Sequence, residues 1–240
     1  MVYKLRAIQE KKMKQRYTLK NMRTEGVDVP LEVPKTSVQN VVSTFSLGVT
    51  NLNLRQLSLQ MPFCDYNPPR FAAMTMRLRE PRTTALTFAS GNMVCTGSKN
   101  ILESLYACRK YVRLLQRYDI RVCFHKFKVQ NIVASAALGF PLRLIDIARD
   151  HGAFVSYEPD LFPGLVLRIS EPKVVFLVFR SGKVVITGAR RMTDIENTFR
   201  GVYCEFLHKY RDTTSTTSSS SEYRVDTKRL LAIESAASLY

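Results

Sequence analysis

At 240 residues and 45% hydrophobic, the chain can bury a substantial core in one or two domains. Its 36 Lys and Arg against 20 Asp and Glu leave a formal charge of +16 and a pI near 9.9, which calls for nucleic acid or an anionic membrane surface as partner. The longest strongly apolar run, 174–179, is too short to span a bilayer, and the five cysteines and three histidines are too scattered for a disulfide framework or a zinc site, so nucleic acid is expected, with no membrane, metal or cofactor.

In chain order, residues 1–35 carry nine Lys and Arg against four acids with no sustained apolar period, the pattern of a basic arm. From residue 36 an extended apolar stretch runs over 38–49, and a segment follows that ends in Tyr66-Asn67-Pro68. Two β-branched and aromatic runs, 83–88 and 93–96, are joined by Ala89-Ser90-Gly91-Asn92, a short glycine turn that predicts an antiparallel hairpin. A helix closes the unit: Ile101, Leu105, Cys108, Val112 and Leu115 fall on one face, while Arg109, Arg113 and Arg117 line another with Lys110 beside them.

The chain then says the same thing again at an offset of 91 residues. The stretch 129–137, Tyr157-Glu158-Pro159, the hairpin runs 174–179 and 184–187 and the stripe Met192, Ile195, Phe199, Val202 and Phe206 repeat the order of the first unit. Over 71–97 against 162–188, eleven of twenty-seven positions are identical. Two copies are too few for a solenoid, so units of about 36–122 and 127–211 are expected to pack as one pseudo-twofold body. Strands followed by a long helix, twice, predict an α+β fold: one curved antiparallel sheet with helices on one face and the other face bare. The nine consecutive Ser and Thr of 213–221 predict that 212–240 is a tail outside that body.

Alternate strand residues share a face. The alternates Asn40 and Val42, Leu86 and Phe88, Val94 and Thr96, with counterparts Asn131 and Val133, Leu177 and Phe179, Val185 and Thr187, form apolar-plus-amide sets that no charge interrupts. The strings Val38-Gln39-Asn40-Val41-Val42, Tyr66-Asn67-Pro68-Pro69-Arg70-Phe71, Arg77-Leu78-Arg79-Glu80-Pro81-Arg82, Phe88-Ala89-Ser90-Gly91 and Val94-Cys95-Thr96-Gly97 resemble the TATA-box-binding protein family. So do Tyr157-Glu158-Pro159-Asp160-Leu161-Phe162-Pro163-Gly164 and Ser181-Gly182-Lys183-Val184-Val185-Ile186-Thr187-Gly188, and the likeness covers about 36–211.

That resemblance implies a saddle of ten antiparallel strands whose concave underside sits in a widened DNA minor groove, with four helices on the convex side meeting protein partners. It implies that Phe71 with Phe88, and Phe162 with Phe179, wedge into the end steps of an A·T-rich site, a binding mode for which this family is itself the type example. Minor-groove edges of A·T pairs offer only acceptors, whereas guanine adds an amino group, so an apolar face carrying the Asn40 and Asn131 amides suits A·T. Arg77 and Arg168 match the family's phosphate-contacting pair, with Lys183, Lys99 and Arg190 as further candidates. Arg109, Lys110, Arg113 and Arg117 match its basic helix for general factors and repressors, and Tyr157, Glu158, Asp160 and Leu161 match the loop that receives transcription factor IIB. Factor IIA and TATA-binding-protein-associated factors are further implied partners, and the nucleus the implied location.

The sequence departs from the family pattern at Pro69, Asn92, Asp160, Glu171 and Arg180. All four wedge phenylalanines are present, and the basic charge points to a eukaryotic factor or paralogue. A specialised paralogue that titrates general factors without bending DNA is one alternative reading. A DNA-repair-type enzyme is another, and it would need a catalytic Asp or Lys in a pocket, whereas the acids here show no paired or duplicated arrangement.

Overall fold

The two units fold as the two halves of one antiparallel sheet, and the strand that opens each unit lies at the centre. The structure, a computed structural model, describes residues 32–213; the basic arm up to residue 31 and the tail from residue 214 lie outside the described residues. The first half contains β1 (Ser37–Ser46), β2 (Cys64–Asp65), β3 (Met74–Leu78), β4 (Thr83–Thr87) and β5 (Asn92–Ser98). The second contains β6 (His125–Ala137), β7 (Val155–Ser156), β8 (Gly164–Ile169), β9 (Val174–Phe179) and β10 (Lys183–Ala189). The sheet is curved and ten-stranded, in the order β2-β3-β4-β5-β1-β6-β10-β9-β8-β7.

The halves join where β1 pairs with β6, and the register there is itself twofold: Asn40 faces Val133, and Val42 faces Asn131. Each of those pairs is the other's copy at the 91-residue offset. Two buried clusters fill the space between the sheet and its helices. In the first, Phe45, Met74, Met76, Ala85 and Met93 of the strands meet Leu54, Leu57, Ala107, Tyr111 and Leu115 of the helices. The second sets Ile132, Leu165, Leu167, Phe176, Val178 and Ile186 against Leu144, Ile147, Ile195, Phe199 and Val202.

Among the described residues the helices are α1 (Leu54–Gln60), α2 (Ile101–Arg117), α3 (Leu144–His151) and α4 (Met192–Val202). The α2 start is fixed twice: Asn100 Oδ1 accepts the Glu103 amide at 2.7 Å, and Glu103 Oε2 accepts the Lys99 amide at 2.7 Å. Strong apolar stripes announce α2 and α4 in the sequence. The second stripe was expected to continue to Phe206, but the α-helix stops at Val202 and a π turn, Tyr203–Leu207, follows. The wider turn keeps Phe206 and Leu207 buried.

The predicted hairpins form with small shifts of boundary, β4 ending at Thr87 and β5 opening at Asn92. Their turns need glycine. Gly91 has φ +79° and Gly182 φ +80°, and a Cβ on either would lie within 2.0 Å of the Val49 or Phe140 carbonyl oxygen.

Candidate nucleic-acid interface

Burial alternates along β4 because one face meets the helices and the other meets solvent, whereas on β9 and β10 the residues of both faces are largely buried. On β4, Thr83, Ala85 and Thr87 are buried while Thr84 and Leu86 are half-exposed. Leu86 stands opposite Val94 on β5 and opposite Thr75 on β3, and Thr84 stands opposite Thr96 and Arg77, which lays out one continuous surface. In the second half Leu177 stands opposite Val185 and Val166, and Val175 opposite Thr187 and Arg168. Val133, Leu177, Phe179 and Val185 form an apolar cluster of their own, with Phe162, Val166 and Val175 packed on it, separate from both helix-side cores. An apolar face with no helix over it is the geometry the alternation predicted.

The sequence reading missed four members of this face: Thr75, Thr84, Val166 and Val175. They occupy matching positions at the 91-residue offset, and that was the available signal. Their chemistry makes the halves unequal. Threonines on the first side and valines on the second explain why only the second half builds a contiguous apolar cluster.

Each end of the face carries a pair of phenylalanines. The Phe71 and Phe88 ring centroids are 6.4 Å apart and those of Phe162 and Phe179 5.9 Å, both pairs inclined at 65°. Phe71 is exposed while Phe88 is half-buried, and Phe162 is half-buried while Phe179 is buried, so in each pair the loop residue covers its partner. Both loop residues are held alike: the Phe71 amide donates to the Asn67 carbonyl and the Phe162 amide to the Glu158 carbonyl, each at 2.9 Å. Gly164 lets the second pair close further, since a Cβ there would come 2.6 Å from Phe162 Cε1; the first half has Ala73 at that position.

At the centre, Asn40 Oδ1 accepts the Gly97 amide at 2.8 Å and the Thr96 hydroxyl at 3.1 Å. Asn131 Oδ1 likewise accepts the Gly188 amide at 2.8 Å, and Asn131 Nδ2 donates to Thr187 Oγ1 at 3.1 Å. Beside them lies a twofold pair the sequence reading also missed: Gln39 Nε2 donates to Ser135 Oγ at 2.9 Å and Gln130 Nε2 to Thr44 Oγ1 at 2.7 Å. These bonds cross the β1–β6 seam, a long-range relationship that periodicity does not carry.

Arg77 and Arg168 are exposed on β3 and β8, on the side of the apolar surface, and Lys183 is exposed at the start of β10. Lys99 and Arg190 follow β5 and β10, and Arg190 lines a hollow with Asn131, Lys173 and Arg191. None of these five cations has a carboxylate within ion-pair distance among the described residues. A face of apolar and amide groups rimmed by unpaired cations fits a polyanion with flat, acceptor-lined edges.

The basic residues of α2 point elsewhere. Ala107, Cys108, Tyr111, Val112 and Leu115 take the sheet side of the helix, which leaves Arg109, Arg113 and Arg117 exposed away from it. Arg109 lies 5.8 Å from the Phe124 ring centroid, and Lys110 Nζ donates to the Glu80 carbonyl at 2.5 Å. On the Phe162 loop, Glu158 and Asp160 are exposed, Leu161 is 82% exposed, and Tyr157 packs partly against the second core.

Burial pushes the Tyr111 phenol up and the Cys64 thiol up to about 11, so both stay protonated near neutrality. Among the described residues no cluster of three His, Cys, Asp or Glu is placed to hold a metal ion, and no helix is long and apolar enough to cross a membrane.

The family model described as "Transcription factor TFIID (or TATA-binding protein, TBP)" matches residues 35–118 and again 126–209, once per repeat. "TATA-box-binding protein 1" of Triticum aestivum is 52% identical over 174 residues, which are 72% of this chain and 74% of that protein. "TATA-box-binding protein" of Acetabularia peniculus is 50% identical over 166 residues, 69% of this chain and 86% of that one. The solved structure of Methanococcus jannaschii TBP superposes with a TM-score of 0.64 at 37% identity, covering 70% of this chain and 96% of the other.

Proposed function

The chain belongs to the TATA-binding protein family, and from that premise we propose that it is a transcription initiation factor that grips and bends A·T-rich promoter DNA through the minor groove and recruits general factors on its helix side. Such a protein is a non-enzymatic DNA binder acting in the nucleus. The single observation that carries the reading is the apolar, amide-centred face with no helix over it, closed at both ends by an edge-to-face phenylalanine pair.

The steps follow from the groups present. Phe71 with Phe88, and Phe162 with Phe179, enter the outermost base steps and unstack them at a cost of a few kcal/mol per step, which pyrimidine–purine steps such as TA reduce. The kinked duplex then lays its opened groove against Val42, Leu86, Val94 and Thr96 in one half and Val133, Leu177, Val185 and Thr187 in the other. Those side chains exclude the guanine amino group, and the Asn40 and Asn131 amides meet the central acceptors. Arg77, Arg168 and Lys183 take phosphates. On the opposite side, Arg109, Lys110, Arg113 and Arg117 receive general factors or repressors. Tyr157, Glu158, Asp160 and Leu161 receive factor IIB.

The test is a binding titration of the full chain against a TATA duplex and its G·C-substituted partner across a salt series. Specific over non-specific ratios in this class of interface run about 10³–10⁷. Equal affinity for the two duplexes at about 150 mM salt would remove the proposal.

A further inference from the structure

Among the candidate phosphate-contacting positions, where Arg77 matches Arg168 and Lys99 matches Arg190, the two halves differ in one cation. Lys183 opens β10 in the second half, on the hairpin that carries Phe179, and its counterpart at the 91-residue offset is Asn92, which opens β5 on the hairpin of Phe88. The first half therefore lacks the positive charge that the second presents beside its phenylalanine pair. The gap is filled from another strand. Lys126, on β6, lines a hollow on the first half together with Thr44, Phe88, Asn92 and Val94.

The backbone puts it there. Along the β1–β6 seam Thr44 faces Lys128 and Ser46 faces His125, so two steps on β1 are met by three on β6, and β6 bulges. Within that bulge Lys126 takes φ +54°, a left-handed conformation that a lysine adopts only when its surroundings impose it. A bulge re-aims a side chain that regular pairing would point elsewhere. Lys126 is exposed and has no carboxylate within ion-pair distance among the described residues. An unpaired cation beside an apolar hollow on a strained, re-aimed backbone has the setting of a binding group.

We propose that Lys126 contacts a DNA phosphate on the first half of the face, taking over the role that Lys183 has on the second and that Asn92 cannot perform. The proposal rests on the DNA-binding reading above. It makes the charge of the interface twofold in effect although the repeat is not twofold in sequence at this position. The cation comes from the second repeat but serves the first.

The experiment measures affinity of the full chain for a TATA duplex from about 50 to 200 mM salt, for the wild type, Lys126→Asn, Asn92→Lys/Lys126→Asn and Arg168→Ala. Asparagine tolerates the left-handed backbone, so Lys126→Asn removes the charge without new strain, and a thermal melt matching the wild type verifies the fold. Each phosphate contact contributes about 0.9 to the slope of log affinity against log salt. Lys126→Asn is expected to lower the slope by that amount, weakening TATA and G·C duplexes alike, and the double variant is expected to recover it. A Lys126→Asn slope equal to wild type, with the Arg168→Ala slope reduced, overturns the proposal and leaves the DNA-binding reading standing. A reduced slope that Asn92→Lys does not restore overturns the claim that Lys126 replaces the missing lysine. A wild type that does not prefer the TATA duplex takes down the DNA-binding reading, and the proposal with it.

Discussion

The side-chain oxygen of Asn131 accepts the backbone amide of Gly188 at 2.8 Å, and Asn40 repeats the bond with Gly97 at the same distance. A carboxamide whose oxygen is held by the sheet has its nitrogen turned away from that bond; Asn131 Nδ2 gives one hydrogen to Thr187 Oγ1 and keeps a second, so the group left for a ligand is a donor. Minor-groove edges of A·T pairs present acceptors, and the match is one of hydrogen-bond sense. Asn40→Asp and Asn131→Asp keep the acceptor that the glycine amide needs but replace the donor with a carboxylate. Each is expected to fold normally and to lose about 1–3 kcal/mol of preference for a TATA duplex. Retention of the wild-type preference in both variants would show that these amides do not read the groove.

The wedge reading concerns the edge-to-face phenylalanine pairs at each end. Replacing Phe71 and Phe88, or Phe162 and Phe179, with alanine is expected to lower the bend reported by energy transfer between duplex ends and to shorten the lifetime of the complex. The outer ring of each pair is the one a base step meets first, so Phe71→Ala and Phe162→Ala alone should carry most of the effect. A wild-type bend in both folded double variants would return these rings to a packing role.

Much of this face was legible because duplication marks positions that a single copy leaves ambiguous. Phe88 alone reads as a core residue; Phe88 and Phe179 in register, with Phe71 and Phe162 duplicated beside proline-bearing loops, do not. What escaped has physical causes. Helix α1, at seven residues, is too short to display an apolar stripe. Strand β3, Met-Thr-Met-Arg-Leu, does alternate, but its methionines lack the β-branched signature of a strand. Strands β2 and β7 have two residues each and exist only through pairing. The Gln39–Ser135 and Gln130–Thr44 bonds and the bulge at Lys126 belong to the seam between repeats, where register comes from both halves at once.

The repeat also shows how one fold is packed twice with different volumes. Tyr111 reaches from α2 onto the sheet, donating its hydroxyl to the Thr83 carbonyl at 2.8 Å, over a β4 whose middle inward residue is Ala85. The counterparts at the 91-residue offset are Val202 and Phe176, with the large residue now on the strand. Large and small have exchanged places between helix and sheet. Tyr111→Val alone is expected to cost about 3–5 kcal/mol through the cavity it leaves. Ala85→Phe alone should cost about 1–3 kcal/mol through overpacking. In the double variant the costs should fall short of their sum by about 1–3 kcal/mol. Denaturant titration of the four proteins measures the coupling, and strict additivity would mean that the two sites do not share the space.

The last prediction separates the two sides of the sheet. Arg113 and Arg117 are exposed on α2, whose opposite side carries Tyr111, Val112 and Leu115 into the core, so the basic row and the apolar strand face lie on opposite surfaces. Reversing both charges, Arg113→Glu with Arg117→Glu, changes the net charge by four and weakens long-range attraction to DNA, an effect that salt screens. Short-range contacts on the far face stay intact. At about 150 mM salt, where the Debye length is about 8 Å, affinity for the TATA duplex is expected to change by less than about threefold. Assembly of a general factor on the protein–DNA complex is expected to fail. Loss of DNA affinity as large as that of Arg168→Ala would place α2 on the DNA side and contradict the orientation, whereas unimpaired assembly with every general factor would make the basic row an ordinary solvated surface.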